Sequence, residues 1–368
     1  MTAPERIRIG IEACDCSTAF GDARQSCEGL LQGEIALKPM PVLGKEGGDL
    51  VPLAYSNGYD ETVPPRWSGL LDELVSKIPS QKWGTAKCPV FVTSSNFDVG
   101  SLYAYRQTGD ERFLTIGTPA KSVEYLKNRY GWGENVVALS HACVTANLGI
   151  ELASRYLQQG IAEKALVFSY DYISPFVAGG FHSLKILNEQ FPAPYQDRET
   201  GSIALGDGSG FVVLSKAETP ARIESNFLYN EMYHFTANDP EGSGFKALAH
   251  WAKEVADGRK IWVKGHGTGT LEAGRLEAES FCEALPESPL VGWKGSLGHT
   301  LGSCGVVELA IALEAIRQGE APGTVGTLAP TLANNVAIDN LQTSDFAGVV
   351  LFSNAFGGAH AGCFVSYE

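Results

Sequence analysis

The segments VVALSHACVTANLGIELASRYLQQG (residues 136–160) and LVGWKGSLGHTLGSCGVVELAIALEAIRQG (residues 290–319) have the same order of features. Each begins with a short apolar run and a turn of small residues. Each then has the spacing of apolar residues that is typical of an amphipathic helix, ended by Gln and Gly. This likeness predicts a duplicated α/β unit whose two helix-start turns meet at a shared centre. The alternative is that any two strand-helix units of an α/β protein look this similar.

Short β-like runs alternate with helical patterns along the rest of the chain, which indicates βαβ units and a mainly parallel sheet. A second likeness joins GDGSGFVVL (206–214) to FGGAHAGCFV (356–365). We therefore predict an α/β fold of two halves, residues 1–217 and 218–368, joined near Thr219 and Pro220. The predicted strands are residues 7–13, 90–93, 136–139, 165–169, 211–214, 261–264 and 349–353.

The composition excludes several classes of function. The formal charge of -14 over 368 residues argues against nucleic acid or an anionic membrane as a general partner. The start MTAPERIRIGIEA lacks the apolar core of a signal peptide, and no run approaches the roughly 18 apolar residues of a membrane span. We expect a cytoplasmic protein. The eight cysteines form no CxxC pair, so neither a disulfide framework nor a zinc ribbon is predicted.

Three turns contain residues that can carry chemistry. Cys143 lies where the free amides of a helix start favour the thiolate, so it is a candidate nucleophile. His266 opens the turn HGTGT after a predicted strand and is expected to point into a cleft. His299 stands at the start of the second repeated helix, which disfavours its protonation and leaves a neutral hydrogen-bond donor. The structural alternatives are a buried thiol, a loop histidine and a helix N-cap.

Two charged residues are candidates for supporting roles. Lys294 could orient a catalytic group or be a surface cation, and Glu277 could be its partner or an exposed helix residue. No pair of histidines or cysteines has metal-ligand spacing on one element, so we predict no metal site. The glycine-rich segments GDGSG and FGG match neither a P-loop nor a dinucleotide-binding motif, so no cofactor is predicted.

Taken together, these segments resemble the β-ketoacyl synthases, condensing enzymes of the thiolase fold, along nearly the whole chain. HACVTANLGIELASRYLQQG resembles the nucleophile helix, with Cys143 at the cysteine position. VKGHGTGT and WKGSLGHTLGSCGVVELA resemble the histidine segments, and SNAFGGAHA resembles the gate loop, with Phe356 at the gate. The resemblance implies two duplicated halves in a layered α-β-α-β-α core.

The resemblance also implies a reaction and its partners. Cys143 would accept an acyl group from an acyl carrier protein, and the N–H groups of Cys143 and Phe356 would form the oxyanion hole. His266 and His299 would bind a malonyl thioester and promote loss of carbon dioxide, with Lys294 and Glu277 supporting the histidine side. The pathway that the resemblance implies would be fatty-acid, polyketide or aryl-polyene-like biosynthesis. The family implies a homodimer, or a heterodimer with a related ketosynthase subunit.

One departure from the family pattern keeps a second interpretation open. Ala273 and Gly274 stand after HGTGT where the family usually has glycine and aspartate. The altered segment fits a non-catalytic partner subunit of the chain-length-factor kind, whereas the intact cysteine, histidines and lysine favour a catalyst. A reactive cysteine would also serve a condensing enzyme that uses coenzyme A thioesters, or a cysteine hydrolase.

Overall fold

Strands and helices alternate along the chain in the computed structural model, which describes residues 6–44, 47–57, 67–234 and 236–368. The strands are β1 Ile9–Thr18, β2 Gly21–Asp22, β3 Lys38–Pro41, β4 Leu50–Ala54, β5 Val90–Thr93, β6 Val136–Leu139, β7 Lys164–Asp171, β8 Leu205–Gly206, β9 Gly208–Ser215, β10 Ala221–Asn230, β11 Ile261–Lys264, β12 Leu290–Val291, β13 Glu320–Ala321, β14 Leu341–Gln342, β15 Gly348–Ala355 and β16 Ala359–Tyr367. The helices are α1 Ala23–Leu31, α2 Ser68–Ser76, α3 Gly100–Thr108, α4 Pro119–Tyr130, α5 Thr145–Gln158, α6 Pro175–Ser183, α7 Ser243–Ala256, α8 Leu271–Ala284, α9 Lys294–Leu297 and α10 Cys304–Gln318. None of these helices, over the described ranges, is both long enough and apolar enough to cross a bilayer.

The seven predicted strands are all present in the structure. β5, β6 and β11 have the predicted bounds, whereas β1, β7, β9 and β15 continue past their predicted ends. The sequence analysis missed β10 because its residues ARIESNFLYN mix polar and apolar side chains without a regular alternation. A register shift between Ile223 and Ser225 interrupts its pairing with β16, which also blurs the two-residue period.

The main sheet repeats one strand order twice. Its path is β12-β11-β15-β16-β10-β1-β9-β7-β5-β6, with β2 beside β1. Counted along the chain, the strands of each set lie in the order first, fifth, fourth, second, third. The two sets meet where β1 pairs antiparallel with β10, Ile9 opposite Ile223. The fold is mixed α/β, and the shared order is what a duplicated unit produces. The division of the chain at residues 217 and 218 stays a prediction.

Two helices form the layer between the two sets of strands. α5 packs against β5 and β7 of the first set and against β10 and β16 of the second. α10 packs against β1 and β9 on one side and β15 on the other. α2 and α4 cover the first set on its outer side, and α7, with α8 beside it, covers the second. The layers therefore follow the predicted order α-β-α-β-α.

The sequences of the two central helices explain why they are buried. α10 is apolar on nearly every side, as a helix enclosed by protein must be. α5 instead buries a face of small residues, which lets the neighbouring strands approach closely. A Cβ atom on Gly149 would lie 2.7 Å from Thr93 Cγ2 and 2.9 Å from Val167 Cγ1. Because both helices begin in the interior, the turns that precede them lie next to each other.

Candidate active site

Cys143 lies in the turn between β6 and α5, and its neighbours set the shape of that turn. Ala142 has a φ of +45°, in the left-handed region that residues other than glycine rarely adopt. The Thr145 hydroxyl donates to the Ala142 carbonyl oxygen at 2.6 Å and accepts from the His141 N–H at 2.7 Å. These two hydrogen bonds hold the half-buried Cys143 side chain at the start of the helix, against an apolar cluster that includes Ala355.

The protonation state of Cys143 differs from the sequence-based expectation. Burial raises the pKa of this thiol well above its ordinary value, the nearby Cys304 thiol raises it further, and Lys294 opposes the rise. We expected the helix start to favour the thiolate, and this expectation is wrong. The start of α5 is enclosed by the second half of the molecule, so the loss of hydration outweighs the helix dipole. Cys143 is therefore a thiol at neutral pH and needs a base to become a nucleophile.

His299 is the group placed to act as that base. Its Nε2 atom lies 3.0 Å from Cys143 Sγ, although 156 residues separate the two along the chain. The backbone of His299 is fixed to the strand β8: its N–H donates to Ala204 O at 2.7 Å, and its carbonyl accepts from the Gly206 N–H at 3.0 Å. This anchoring holds the imidazole against the thiol.

His266 completes the cluster from the end of β11. Its ring centroid lies 4.9 Å from that of His299, with the two planes at 89°. The chain turns sharply after His266, where Gly267 has a φ of +48°. The Gly267 N–H donates to the Glu277 carboxylate at 3.3 Å, and this hydrogen bond holds the turn in place. The two predicted histidines and the predicted cysteine therefore meet at one point.

Both histidines are neutral at physiological pH. Burial lowers the pKa of His266 and of His299 well below the ordinary value, and the positive charges of Lys294 and Lys264 add to this effect. The direction predicted for His299 is confirmed, but burial is the main cause, and not the helix start. A neutral imidazole can accept a proton at one nitrogen and donate a hydrogen bond from the other. Nδ1 of each ring has no hydrogen-bond partner among the described residues.

The same three side chains are also close enough to hold a metal ion. The ligand atoms of Cys143, His266 and His299 all lie within 4.8 Å of one another. The three residues lie on different elements, so spacing along a single element did not predict this cluster. A thiolate and two imidazoles suit a soft divalent cation such as Zn²⁺. The buried ammonium groups of Lys294 and Lys264 oppose such an ion through their positive charge.

Lys294 and Glu277 lie near the cluster, but they are not partners of each other. Lys294 is buried, and its Nζ donates to Glu308 Oε1 at 2.5 Å. Glu277 is also buried and accepts from the Tyr195 hydroxyl as well as from the Gly267 N–H. The interpretation of Glu277 as the partner of Lys294 is therefore wrong: Glu308 has that role. Burial raises the pKa of Glu277 to about 7, and the hydrogen bonds from Tyr195 and Gly267 oppose the rise.

Glu308 and Lys264 also belong to the site, although neither was predicted from the sequence. Lys264 is the last residue of β11, is fully buried, and forms an ion pair with the same oxygen atom of Glu308. A signal was present for each: Glu308 interrupts the apolar run of α10, and Lys264 ends an apolar strand. Charged residues in such positions are rarely buried without a partner. Their partners are distant in sequence, so the sequence could not pair them.

Phe356 follows β15 in the tight turn to β16. Gly357 and Gly358, with φ values of +88° and +73°, form this turn. The ring of Phe356 is exposed and stacks on Phe181 at 6.3 Å. The preceding residue, Ala355, belongs to the apolar cluster against which Cys143 packs. The turn therefore brings the Phe356 backbone towards Cys143, where an oxyanion hole would need it. That role stays a prediction.

Part of the chain matches a known protein family. The family described as "Beta-ketoacyl synthase, C-terminal domain" matches residues 221–327, a range that includes both histidines and Lys294. Among curated proteins, the 3-oxoacyl-[acyl-carrier-protein] synthase 2 of Coxiella burnetii is 25% identical over 257 residues. That alignment covers 60% of this chain and 62% of the relative, so this chain covers less than two thirds of the relative's length.

Solved structures match over nearly the whole chain. A β-ketoacyl synthase from Burkholderia phymatum STM815 has a TM-score of 0.82 at 18% identity, covering 98% of this chain and 99% of that one. A chain in the structure of a ketosynthase in complex with its chain length factor, from Xenorhabdus doucetiae, has a TM-score of 0.79 at 19% identity, covering 98% of both chains. At such identities the likeness concerns the fold, and the predicted thiolase-like fold is confirmed.

Proposed function

Because the chain belongs to the β-ketoacyl-(acyl-carrier-protein) synthase family, we propose that it condenses a malonyl thioester with an acyl group held on Cys143. The observation that carries this proposal is the convergence of one thiol and two neutral imidazoles, with Cys143 Sγ 3.0 Å from His299 Nε2. Each of these three groups has a separate task in a two-step condensation.

The first step is transfer of the acyl group to Cys143. His299 Nε2 takes the thiol proton as Sγ attacks the thioester carbonyl of the acyl carrier protein. The carrier thiol leaves and recovers a proton, so the charge of the site is unchanged at the end of the step. The raised pKa of Cys143 fits this order, because a thiol that stays protonated until substrate arrives reacts only slowly with oxidants and alkylating reagents. Backbone N–H groups of Cys143 and Phe356 are proposed to hold the oxyanion.

The second step is decarboxylation of the malonyl thioester. Hydrogen bonds from the neutral His266 and His299 to the thioester oxygen stabilise the enolate that forms as carbon dioxide leaves. The enolate carbon then attacks the acyl group on Cys143, the carbon–sulfur bond breaks, and the released Cys143 thiolate takes up one proton from solvent, the proton that decarboxylation consumes. The products are a β-ketoacyl thioester and the free enzyme. The residues of this chain need no metal or redox group for any of these steps.

The outer edge of the main sheet supports the proposal of a dimer. β6 is the last strand on its side, and no described strand pairs with its outer edge. Val137 is exposed there, and the strand leads directly into the turn that holds Cys143. An exposed edge of this kind is a template for pairing with a second chain. We propose a homodimer or a heterodimer with a related subunit, to be distinguished by light scattering of the purified chain. A cytoplasmic location also stays a prediction.

The test is an acylation assay read by intact mass. The purified chain is incubated with an acyl-carrier-protein thioester, with Cys143→Ala as the control. We expect an acyl adduct on the wild type and none on the variant. In a parallel assay of carbon dioxide release from malonyl thioester, His299→Ala should be slower by about 10²–10³-fold, the cost of losing one donor to an oxyanion. A folded wild-type chain that forms no adduct would overturn the catalytic proposal and favour a non-catalytic partner subunit.

A further inference from the structure

Lys264 and Lys294 compete for one oxygen atom of Glu308. Lys294 Nζ donates to Glu308 Oε1 at 2.5 Å, and Lys264 Nζ forms an ion pair with the same atom. The side chains of the two lysines are 0% and 2% exposed, and that of Glu308 is 6% exposed. Water therefore cannot compensate the charge that the carboxylate leaves unpaired. Two ammonium groups and one carboxylate give this cluster a formal charge of one positive unit.

The surroundings of Lys264 keep it charged in spite of burial. Its pKa is lowered from the ordinary value to about 8, with burial as the largest cause; Glu308 and the Cys304 thiol oppose the fall, and Lys294 adds to it. The Trp293 ring lies 5.5 Å from Nζ, a contact that favours a cation. The titratable groups that face Lys264 are Glu308 and Cys304 of α10, Lys294 of α9, Glu277 of α8 and the two histidines. Both histidines are neutral, and burial raises the pKa of Glu277 to about 7, so the extra positive charge is present in full below about pH 7.

This charge is close enough to act on the catalytic histidines. Lys264 lies two residues before His266, and its positive charge contributes to the lowered pKa of both His266 and His299. An unbalanced cation in a buried site is costly unless an anion arrives to pair with it. The reaction proposed above forms such an anion, the enolate, beside these histidines. A malonyl carboxylate brings a second one.

We propose that Lys264 is a positioning residue of this site: by sharing Glu308 with Lys294, it leaves one positive charge beside the histidines that favours anionic ligands over neutral ones. The role of this charge in catalysis rests on the proposed function, but the charge itself can be tested without turnover. When Lys264 loses its proton, Lys294 and Glu308 become a balanced pair and the preference for anions disappears.

Two alkylating reagents of nearly equal size provide the test. Iodoacetate and iodoacetamide both attach to the Cys143 sulfur with release of iodide and the thiol proton, but only iodoacetate is an anion. The rate of each reaction is read from the mass of the peptide that contains Cys143. Because both reagents react with the same thiolate, the fraction of ionised thiol divides out of the ratio of the two rates. The ratio therefore reports the charge of the site. Lys264→Met is compared with Lys260→Met, an exposed lysine just before the same strand.

We expect Lys264→Met to lower the iodoacetate-to-iodoacetamide ratio about tenfold, the size of one partly screened charge at this range, and Lys260→Met to leave it unchanged. In the wild type the ratio should fall between about pH 7 and about pH 8, as Glu277 ionises and then Lys264 loses its proton. In Lys264→Arg, whose guanidinium does not titrate in this range, the part of the fall near pH 8 should be absent. A purely structural role for Lys264 would not change the ratio.

The inference is overturned if the ratio is the same in folded Lys264→Met and in the wild type. If Lys264→Met does not fold, the wild-type pH profile decides, and a ratio that is flat through about pH 8 overturns the inference. Carbon dioxide release from malonyl thioester is measured on the same proteins. If the wild type is alkylated with the expected ratio but releases no carbon dioxide, the proposed function is contradicted. The inference about the charge beside the histidines still holds in that case.

Discussion

The two turns that meet at the site are built alike but hold different charges. Each enters its buried helix through a left-handed residue three positions before the first helical residue: Ala142, with φ +45°, before α5, and Leu301, with φ +54°, before α10. The turn before α5 carries a neutral thiol among alanines and valine. The turn before α10 lies over Lys264, Lys294 and Glu308. The same backbone conformation therefore precedes both buried helices, and the two turns differ chemically because only one of them has buried charges nearby.

The difference also has a functional meaning within the proposed reaction. The nucleophile must be reached by a large thioester, so its turn is half-buried and lined by small residues. The two histidines must stabilise an anion, so both side chains are buried and lie near the positive charges of Lys264 and Lys294. Three substitutions test this comparison, from the largest expected effect to the smallest.

Glu308→Ala should be the most damaging, because it leaves two buried ammonium groups without an anion. Breaking a buried ion pair on one side costs about 3–5 kcal/mol in the free energy of unfolding. The control is Glu314→Ala on the same helix: Glu314 is buried, but its partners Arg317 and Gln318 are exposed, so no buried charge is left unpaired and the loss should be smaller, about 1–2 kcal/mol. Urea unfolding at neutral pH measures both. Equal losses in the two variants would show that the histidine turn does not depend on its buried charges.

Glu277→Gln should change how stability depends on pH. The folded-state pKa of Glu277 is about 7, against an ordinary value of 4.5, so between these pH values the folded protein binds more protons than the unfolded one. The free energy of unfolding of the wild type therefore falls as pH rises through this window, by about 3 kcal/mol for this group. The variant lacks this contribution.

Urea unfolding at about pH 5 and about pH 8 measures this effect as the difference between wild type and variant. The exposed Glu279→Gln on the same helix serves as the control and should show no such change. A constant difference between wild type and Glu277→Gln at the two pH values would mean that Glu277 is already ionised at low pH in the folded protein.

Thr145→Val should have the smallest effect. It removes both hydrogen bonds of a buried hydroxyl and leaves the His141 N–H without its acceptor, at a cost of about 2 kcal/mol. The matching change in the other turn, Ser303→Ala, removes a single bond to Thr300 O and should cost about 1 kcal/mol. Thermal unfolding compares them. A larger loss from Ser303→Ala would mean that the histidine turn is the more strained of the two.

Local patterns in the sequence predicted seven of the strands, and they brought out one cysteine and two histidines that the fold places together. Strand 261–264 and the turn after it were visible because an apolar run is followed by glycines, and this placed His266 at a strand end. The missed strand β10 shows the limit of such patterns: its polar residues pair within the centre of the main sheet, where packing overrides propensity. The pairing of Lys294 was also wrong, because Glu277 and Glu308 are equally plausible until the fold shows which carboxylate reaches the ammonium group.

The sequence by itself determined the α/β class, the repeated strand-turn-helix unit and the identity of the cysteine and the two histidines, because each depends on neighbours a few residues away. Only the tertiary structure decided that Cys143 is a protonated thiol, that His299 lies against it, and that Lys264 and Lys294 share Glu308. The reason is physical. Hydration and Coulomb energies depend on distances in space, and folding brings together groups that are up to 156 residues apart in the chain.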